Sequence, residues 1–456
     1  MNVANTIKKL GLEQAFDYLY KDPENNLLKL MNWADKFSDG EFVSQRKAIR
    51  EAIENPAHPY HDYILHIIHD IDPEVMKTLA VNFFINASLI GWSKQEENRA
   101  KYNCNVPWAI LLDPTSACNL HCTGCWAAEY GNKLNLTFDE IDSIIQQGKK
   151  LGVYMYIYTG GEPLTRKNDL IRLCEKHNDC VFLCFTNATL IDEKFADEML
   201  RVKNFIPAIS LEGDEVSTDS RRGQGTYQKV VRAMKLLHEK KLPYGISSCY
   251  TSVNYEKITS DTYYNSLIDM GAYFIWYFHY MPVGNEASCE LLPDPDQREY
   301  MYHRIREIRA MKGGKPIFAF DFQNDGEYVG GCIAGGRNYC HINPKGDVEP
   351  CVFIHYSSAN IHEKSLIECL QQPLFRAYRD GQPFNDNELR PCPMLENPEK
   401  LQEMIHKTGA VSTDLQSPET CEHLCGKCVE YAKEWTPVAN KLWSKTLEEK
   451  ATNAAK

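Results

Sequence analysis

Three cysteines near the middle of the chain have a spacing suited to metal chemistry. Cys118, Cys122 and Cys125 form a CxxxCxxC pattern within DPTSACNLHCTGCW (113–126). Three thiolates at this spacing can hold three irons of a [4Fe–4S] cube and leave the fourth iron without a protein ligand, so that the open iron can bind a cofactor. The alternatives are a zinc site or chance clustering. Because the three cysteines directly follow a predicted strand, the iron–sulfur interpretation is favoured.

A second CxxxCxxC pattern lies near the end of the chain. Cys421, Cys425 and Cys428 fall at positions i, i+4 and i+7 of CEHLCGKC. These cysteines could hold a further cluster, whereas on a helix the same spacing forms one buried face. The buried face is favoured, and a further cluster is the alternative.

The elements that must position the first cysteines alternate strands with helices. From residue 108 onward, short apolar runs are separated by longer amphipathic segments. Six such strands with right-handed crossovers predict an α/β fold with a partial (β/α)6 parallel barrel, whose active residues collect at the carboxyl ends of the strands. The predicted strands are WAILLD (108–113), YMYIY (154–158), VFLCF (181–185), IPAISL (206–211), YGISSCY (244–250) and YFIWYFH (273–279).

The change of pattern along the chain predicts three domains. In residues 1–103 apolar side chains recur at three- and four-residue intervals, which is typical of an all-helical region. Residues 104–311 form the barrel. The lysine- and glycine-containing segment MKGGKP (311–316) then leads into a Cys-rich C-terminal extension over 312–456, where the strand–helix alternation stops.

Composition narrows the class of protein. Fifty Lys and Arg against 62 Asp and Glu give a net charge of -12, so nucleic acid is not an expected partner. Seventeen cysteines in 456 residues are well below the roughly 8–10% of disulfide-stapled secreted chains. Metal thiolates are therefore the leading use of these cysteines.

No targeting or spanning segment is predicted. The start, MNVANTIKKLGLEQAF, has lysines but no following apolar segment, so we expect a reducing, cytoplasmic location. The longest uncharged run, Thr78 to Ser93, is shorter than the roughly 20 apolar residues of a spanning helix and contains two asparagines. We therefore expect no transmembrane span, while peripheral membrane contact stays open.

Three further motifs follow the next predicted strands: YTGGEPL after the second, TNATLI after the third and SLEGDEVSTDSRRGQGTY after the fourth. With these motifs and the cysteine loop, the chain resembles the radical S-adenosylmethionine (AdoMet) enzymes over most of residues 108–280. Their order on successive strand ends makes coincidence implausible. Two departures are Ala188 at the usual glycine and Glu212 at the usual aspartate. The resemblance implies that Gly160, Gly161, Glu162 and Pro163 bind the methionine amino group, and that Ser210, Glu212 and Arg222 contact the ribose hydroxyls or the methionine carboxylate.

The resemblance also implies a reaction. Methionine amine and carboxylate chelate the open iron, and an electron donor such as a flavodoxin or ferredoxin supplies one electron through the reduced cube to the sulfonium. Homolysis then yields a 5′-deoxyadenosyl radical that abstracts a substrate hydrogen. The protein itself positions the reactants and excludes water.

The C-terminal extension contains a pattern similar to auxiliary-cluster domains. Cys332, thirteen residues, Gly346, four residues and Cys351 resemble the opening C-x(9–15)-G-x4-C of the SPASM and twitch domains, with Gly346 expected in a hairpin turn. The C-x2-C-x5-C-x3-C run of a full SPASM domain is absent. The resemblance therefore implies one twitch-like auxiliary cluster on Cys332, Cys351 and Cys392, against unligated buried cysteines; Cys340 could join this site or simply pack in a strand.

The leading hypothesis is a radical AdoMet enzyme that modifies a peptide or protein, because the resemblance implies that occupation. An alternative is carbon–carbon bond formation on a lipid, since TLAVNFFINASLIGW (78–92) could be an interfacial helix. The apolar residues of the helix that a bilayer would contact are Phe83, Phe84, Leu89 and Trp92. Core packing is the favoured role of that helix.

An alternative of another class is a non-catalytic iron–sulfur or zinc protein.

Overall fold

The computed structural model describes residues 3–37 and 43–454, built around one sheet of nine strands. The six predicted strands lie side by side in chain order and pair in parallel. In the described residues the two outermost strands do not pair with each other, so the barrel is partial, as predicted. The strands are β1 (Ala109–Leu112), β2 (Met155–Tyr158), β3 (Val181–Thr186), β4 (Phe205–Ser210), β5 (Gly245–Tyr250), β6 (Phe274–His279), β7 (Phe318–Asp321), β8 (Tyr339–Ile342) and β9 (Val348–Glu349).

The described part of the N-terminal region is helical throughout, as predicted. Prolines open three of its helices, at a position where the missing N–H costs nothing. The helices are α1 (Val3–Leu19), α2 (Pro23–Phe37), α3 (Val43–Glu54), α4 (Pro59–Asp70), α5 (Pro73–Ala80) and α6 (Trp92–Tyr102).

Helices α5 and α6 belong to one continuous helix, Pro73–Tyr102, with a π-helical stretch at Val81–Gly91 between them. Among the described residues it is the one helix long and apolar enough to cross a membrane, by length and composition only. The uncharged run from Thr78 to Ser93 is only part of this helix, because charged turns extend it at both ends. Half of the apolar window is buried inside the protein. Asn82 and Asn86 donate from this helix to backbone carbonyls of residues 178–180 at 2.8 to 3.0 Å.

Helices join each strand of the barrel to the next. The first of them begins with a reciprocal capping box between Thr137 and Glu140, which the sequence TFDE encodes directly. Its apolar face, including Ile141, Ile144 and Ile145, is buried against the sheet. The connecting helices are α7 (Phe138–Leu151), α8 (Lys167–Lys176), α9 (Glu193–Val202), α10 (Glu215–Arg222), α11 (Thr226–Glu239) and α12 (Asp261–Asp269).

The sheet continues beyond the predicted end of the barrel. Strand β7 adds in parallel to β6 at one edge, and β8 adds in parallel to β1 at the other. Strand β9 folds back antiparallel on β8. The domain boundary near residue 311 therefore stays a prediction, since residues on both sides of it contribute to the same sheet.

The C-terminal extension is otherwise helical and packs with the barrel in one hydrophobic core. A short antiparallel pair, β10 (Tyr356–Ser357) and β11 (Val411–Ser412), lies outside the main sheet. Helix α13 (Pro295–Ile308) lies between β6 and β7, before the extension begins, and the helices of the extension are α14 (Gly326–Val329), α15 (Leu366–Leu370), α16 (Pro373–Gly381), α17 (Pro398–Thr408) and α18 (Cys421–Ala454).

Candidate functional site

The loops after β1, β2, β3, β4 and β6, together with strand β5, enclose a cavity of about 380 Å³ at the carboxyl ends of the strands. This is the edge of a parallel sheet where ligands bind. Pro163 and Glu212 do not line this cavity. The predicted site residues that do line it are Cys118, Cys122, Cys125, Gly160, Gly161, Glu162, Ser210 and Arg222.

The cysteine loop is held from both sides by neighbouring loops. Asn119 accepts from the Asn187 amide (2.9 Å) and donates to the Thr189 hydroxyl (2.8 Å). On the other side Thr123 N donates to the Arg221 carbonyl (3.0 Å), and the Arg221 side chain donates back to the Thr123 carbonyl. The loops after β1, β3 and β4 therefore form one connected rim.

The GGEP segment packs against the chain just before the cysteines. A Cβ on Gly160 would lie 2.8 Å from the Asp113 side chain, and one on Gly161 would lie 2.3 Å from the Ala117 carbonyl oxygen. Gly160 also has φ of +101°, which favours glycine. The glycines therefore permit close approach between two segments of the protein, which fixes the height of the cysteine loop above the sheet.

Glu162 is fully buried and ties the second loop to the third. Its carboxylate accepts from Thr186 Oγ1 (2.7 Å), Asn187 N (2.7 Å) and Leu164 N (2.9 Å). Burial raises the pKa of this carboxyl above its usual value, while these donors oppose the shift. Because both oxygens are already hydrogen-bonded, a ligand amine would share an acceptor that the fold has oriented in advance.

Glu212 does not line the cavity but contacts two arginine side chains that do. Its side chain is inaccessible, and Oε1 accepts from Arg221 Nη1 (2.7 Å) and from Arg222 Nη2 (2.5 Å). Arg222 Nη1 in turn lies 3.9 Å from Cys122 Sγ. Both arginines line the cavity. The carboxylate therefore orients two cations beside the cysteines. Arg221 lines the cavity but was not among the predicted site residues, although the RR pair is visible in the sequence.

The three cysteines of the first loop fit a multi-iron cluster better than a single zinc ion. Three sulfurs on one zinc would all lie within about 4.6 Å of one another, twice the roughly 2.3 Å Zn–S bond. Among the described residues, the three sulfurs of this loop do not all lie within 4.8 Å of one another. Cys118 is exposed, Cys122 and Cys125 are partly exposed, and all three are unbonded thiols facing the cavity.

The predicted auxiliary cysteines also come together. Cys332, Cys351 and Cys392 line a second cavity of about 800 Å³. Hydrogen bonds reach the sulfurs, as is common for cluster ligands: Tyr339 OH donates to Cys351 Sγ at 2.8 Å, and two backbone N–H groups donate to Cys392 Sγ at 3.4 Å. Gly346, with φ of +89°, lies in the turn from β8 to β9, as the hairpin prediction requires.

The other cysteines that were considered as possible ligands line neither cavity. Cys340 is buried within β8. Cys421, Cys425 and Cys428 lie on α18 and are buried, which matches the favoured helical face. At the start of α18, the ligand atoms of Cys421, His406 and Glu422 lie within 4.8 Å of one another.

A buried ionic network beneath the first loop was missed by the sequence analysis. His341 in β8 lies between two carboxylates, with Nδ1 2.6 Å from Glu349 and Nε2 3.0 Å from Asp113. Burial alone would lower the pKa of His341, but the two carboxylates raise it to about 10. The His341 ring packs edge-on against Trp126, the residue after Cys125, with ring centroids 5.7 Å apart. A histidine inside a buried strand was the signal available.

Comparisons with known proteins agree with this geometry. Residues 112–263 match the radical SAM superfamily, and residues 332–394 match SPASM, an iron–sulfur cluster-binding domain. An AdoMet-dependent heme synthase of Methanosarcina barkeri is 24% identical over 304 residues, covering 60% of this chain and 86% of the relative. A PqqA peptide cyclase of Gluconobacter oxydans is 24% identical over 333 residues, covering 68% of this chain and 89% of the relative.

A solved structure shares the fold. Streptococcus suis SuiB bound to S-adenosylmethionine superposes with a TM-score of 0.54 and 18% identity, covering 82% of this chain and 85% of SuiB. The barrel with its cysteine loop overlaps the radical SAM match, and the Cys-rich extension contains the SPASM match. The chain therefore contains a radical SAM domain over residues 112–263 and a SPASM domain over residues 332–394, and these domains imply a [4Fe–4S] cluster, AdoMet and auxiliary iron–sulfur clusters as cofactors.

Proposed function

We propose that this protein cleaves AdoMet reductively in the first cavity and abstracts a hydrogen atom from an organic substrate bound beside it. The observation that carries the proposal is the convergence of the cysteine loop, the GGEP segment and the Ser210 strand end on one cavity. When bound, the reduced cluster and AdoMet together supply a 5′-deoxyadenosyl radical. The residues of the chain hold, orient and shield the reactants.

Each site residue has a proposed role that its contacts support. Cys118, Cys122 and Cys125 ligate three irons. The pre-oriented Glu162 carboxylate receives the methionine amine, with Gly160, Gly161 and Pro163 shaping the surrounding backbone. Ser210 and Arg222 face the ribose and the methionine carboxylate, and Glu212 is a positioning residue that holds Arg221 and Arg222.

We assign one auxiliary cluster to Cys332, Cys351 and Cys392, which share a cavity and accept hydrogen bonds at sulfur. Cys340 is proposed to pack in its strand. Cys421, Cys425 and Cys428 are proposed as a buried helical face, with a second cluster as the alternative.

Two substrate classes compete. A peptide or protein substrate is supported by the relatives, which include PqqA peptide cyclases and a SuiB structure bound to its precursor peptide SuiA (TM-score 0.53). A lipid substrate is supported by the apolar lining of the second cavity. A flavodoxin or ferredoxin donor, a cytoplasmic location and the lack of a nucleic-acid partner stay predictions from the sequence.

The test is AdoMet cleavage by the anaerobically reconstituted and reduced full chain. We expect 5′-deoxyadenosine from the wild type and none from the triple variant Cys118→Ala/Cys122→Ala/Cys125→Ala. Cys289→Ala, an exposed cysteine that lines neither cavity, is the matched control and should behave as wild type. Equal amounts of 5′-deoxyadenosine from the wild type and the triple variant would contradict the proposed function.

A further inference from the structure

The second cavity lies where the N-terminal helices meet the edge of the barrel. Its lining comes from α3, α4, the edge strand β7 and the auxiliary cysteines at its inner end. At about 800 Å³ it falls in the roughly 300–1,000 Å³ range of small-molecule sites and leaves room beyond a cluster at those cysteines. The side chains that line it away from the cysteines are mainly aliphatic and aromatic, such as Ile49, Tyr63, Ile64, Phe318 and Phe320.

The charged groups in this lining are already paired within the protein. Arg309 forms an ion pair with Asp325 at 2.7 Å, and Asp321 accepts from the Asn324 side chain at 2.8 Å. A peptide backbone placed here would bring N–H and C=O groups that must be paired, at a cost of about 1–3 kcal/mol for each one left unpaired. The paired lining therefore favours a ligand with few polar groups.

Polar atoms without a partner mark the two ends of the lining. Among the described residues, His58 Nε2 and Tyr378 Oη are buried, line the cavity and have no hydrogen-bond partner. His58 is 4% exposed and lies at the N-terminal helices, whereas Tyr378 lies near the auxiliary cysteines. One polar group beside the helices suits the carbonyl end of a long apolar chain.

The second cavity adjoins the first. Several side chains line both, among them Trp276, Phe322 and Phe353. The Trp276 ring contacts Phe320 (5.5 Å between centroids) on the outer side and Phe278 (5.4 Å), which lines the first cavity. A chain seated in the second cavity thus meets an aromatic wall that leads to the proposed AdoMet site.

Exposed aromatic side chains lie next to the far end of the first cavity. Phe84 and Trp92 on the Pro73–Tyr102 helix are 57% and 44% exposed. Phe84 packs edge-on against Phe83 (5.3 Å between centroids), and Phe83 packs edge-on against Trp108, which lines the cavity, with centroids 5.6 Å apart. Exposed aromatics on an apolar helix are typical of contact with a bilayer interface.

We infer that the second cavity binds the hydrocarbon chain of a membrane lipid and that this chain is the substrate; the inference rests on the proposed function. In the step, a C–H bond of the chain breaks and its hydrogen atom forms a new C–H bond in 5′-deoxyadenosine. One electron from a reduced flavodoxin or ferredoxin breaks the C5′–S bond of AdoMet, which releases methionine and provides the carbon that accepts the hydrogen atom. The donor is oxidised by one electron, and the unpaired electron ends on the carbon of the chain that lost its hydrogen.

Binding is tested first, without turnover. Reconstituted full-length protein is titrated with 11-(dansylamino)undecanoic acid, and we expect saturable, blue-shifted fluorescence that palmitate competes away. Ala48→Trp should weaken binding at least tenfold, because Ala48 lines the cavity and an indole would fill it. Ala100→Trp, on the exposed face of α6, is the matched control and should leave binding unchanged. Circular dichroism and iron content check that both variants fold.

Absence of saturable binding would overturn the inference, as would tenfold weaker binding by the Ala100→Trp control. Binding that is unchanged in a correctly folded Ala48→Trp variant would also overturn it. Co-sedimentation with phosphatidylcholine vesicles gives a second measurement, and we expect Phe84→Asp to reduce it at least fivefold while AdoMet cleavage persists. Sedimentation equal to wild type in this variant would count against the lipid source of the chain.

Turnover identifies the substrate and separates the two proposals. The reduced enzyme is incubated with lipid and peptide fractions of a cell extract, and we expect hydrogen mass changes in lipid chains as 5′-deoxyadenosine forms. Mass changes in peptides instead would overturn the lipid inference and leave the proposed function standing. Chain binding without any AdoMet cleavage would overturn the proposed function and leave the binding site.

Discussion

The chain contains the CxxxCxxC pattern twice, in two different structural settings. At residues 118–125 the pattern lies in a loop at the barrel rim, where the thiols face a cavity. At residues 421–428 it lies on α18, where the same spacing places the side chains on one buried face. Spacing alone therefore does not decide whether three cysteines face a cavity; the backbone that carries them does.

The contacts that support the two cysteine patterns also differ. The loop has no internal hydrogen-bond ladder, so Asn119, Thr123 and Trp126 connect it to neighbouring loops and to β8. The helix satisfies its own backbone and needs only apolar neighbours for its cysteines. A ligand loop must be held from outside, and such contacts mark a functional loop.

Removing the cysteines from each pattern should have opposite consequences, and this is the largest expected contrast. The loop variant Cys118→Ala/Cys122→Ala/Cys125→Ala should lose about four irons. The helix variant Cys421→Ala/Cys425→Ala/Cys428→Ala should keep its iron and AdoMet cleavage but lose about 2–4 kcal/mol of unfolding free energy, because small cavities replace buried sulfur. Iron analysis and denaturant titration measure both, and iron loss from the helix variant would assign ligands there.

The auxiliary cysteines test whether the backbone setting decides metal binding, because they lie on loops and short strands that face a cavity. Cys332→Ala/Cys351→Ala/Cys392→Ala should lose about four irons while the first cluster still supports AdoMet cleavage. Cys340→Ala, at a residue that lines neither cavity, is the control and should keep all iron. Unchanged iron in the triple variant would contradict the assignment.

The ionic network beneath the first loop predicts that the stability of the protein depends on pH. The cysteine pattern on α18 should make no such contribution. Because the folded pKa of His341 is raised to about 10 by Asp113 and Glu349, its contribution to stability is complete below the unfolded value of about 6.5 and is lost as pH rises towards 10. The thermal midpoint of the wild type should therefore fall over this window.

The variant His341→Gln isolates that contribution. We expect a loss of about 3–5 kcal/mol at pH 7, since two buried carboxylates lose their cation, and a flatter profile from pH 6.5 to 10. His303→Gln, a half-exposed histidine on α13, should leave the profile as in wild type. Parallel profiles for wild type and His341→Gln would contradict a charged His341.

Strand order and loop positions could be predicted from the sequence, because apolar runs and turn residues encode them locally. Gly160, Glu162 and Arg222 were instead predicted from the resemblance to radical AdoMet enzymes, and they line one cavity with the cysteine loop. The addition of β7 and β8 to the sheet depends on contacts distant in sequence, as does the pairing of His341 with Asp113. No local pattern specifies such partners.

The smallest expected effect concerns Ala188, in the loop that contacts the first cysteines through Asn119. Its φ of 59° lies in the left-handed region, which costs a residue with a Cβ roughly 1–2 kcal/mol, and its methyl group is buried. Ala188→Gly removes that cost and forfeits roughly 0.8 kcal/mol of methyl burial and some unfolded-state entropy, so unfolding free energy should rise by up to about 1 kcal/mol. The same change at Ala196, inside α9, should instead lower it by about 1 kcal/mol. Equal losses at both positions in denaturant titrations would mean that the loop holds Ala188 without strain, and the family glycine would then have no conformational role in this chain.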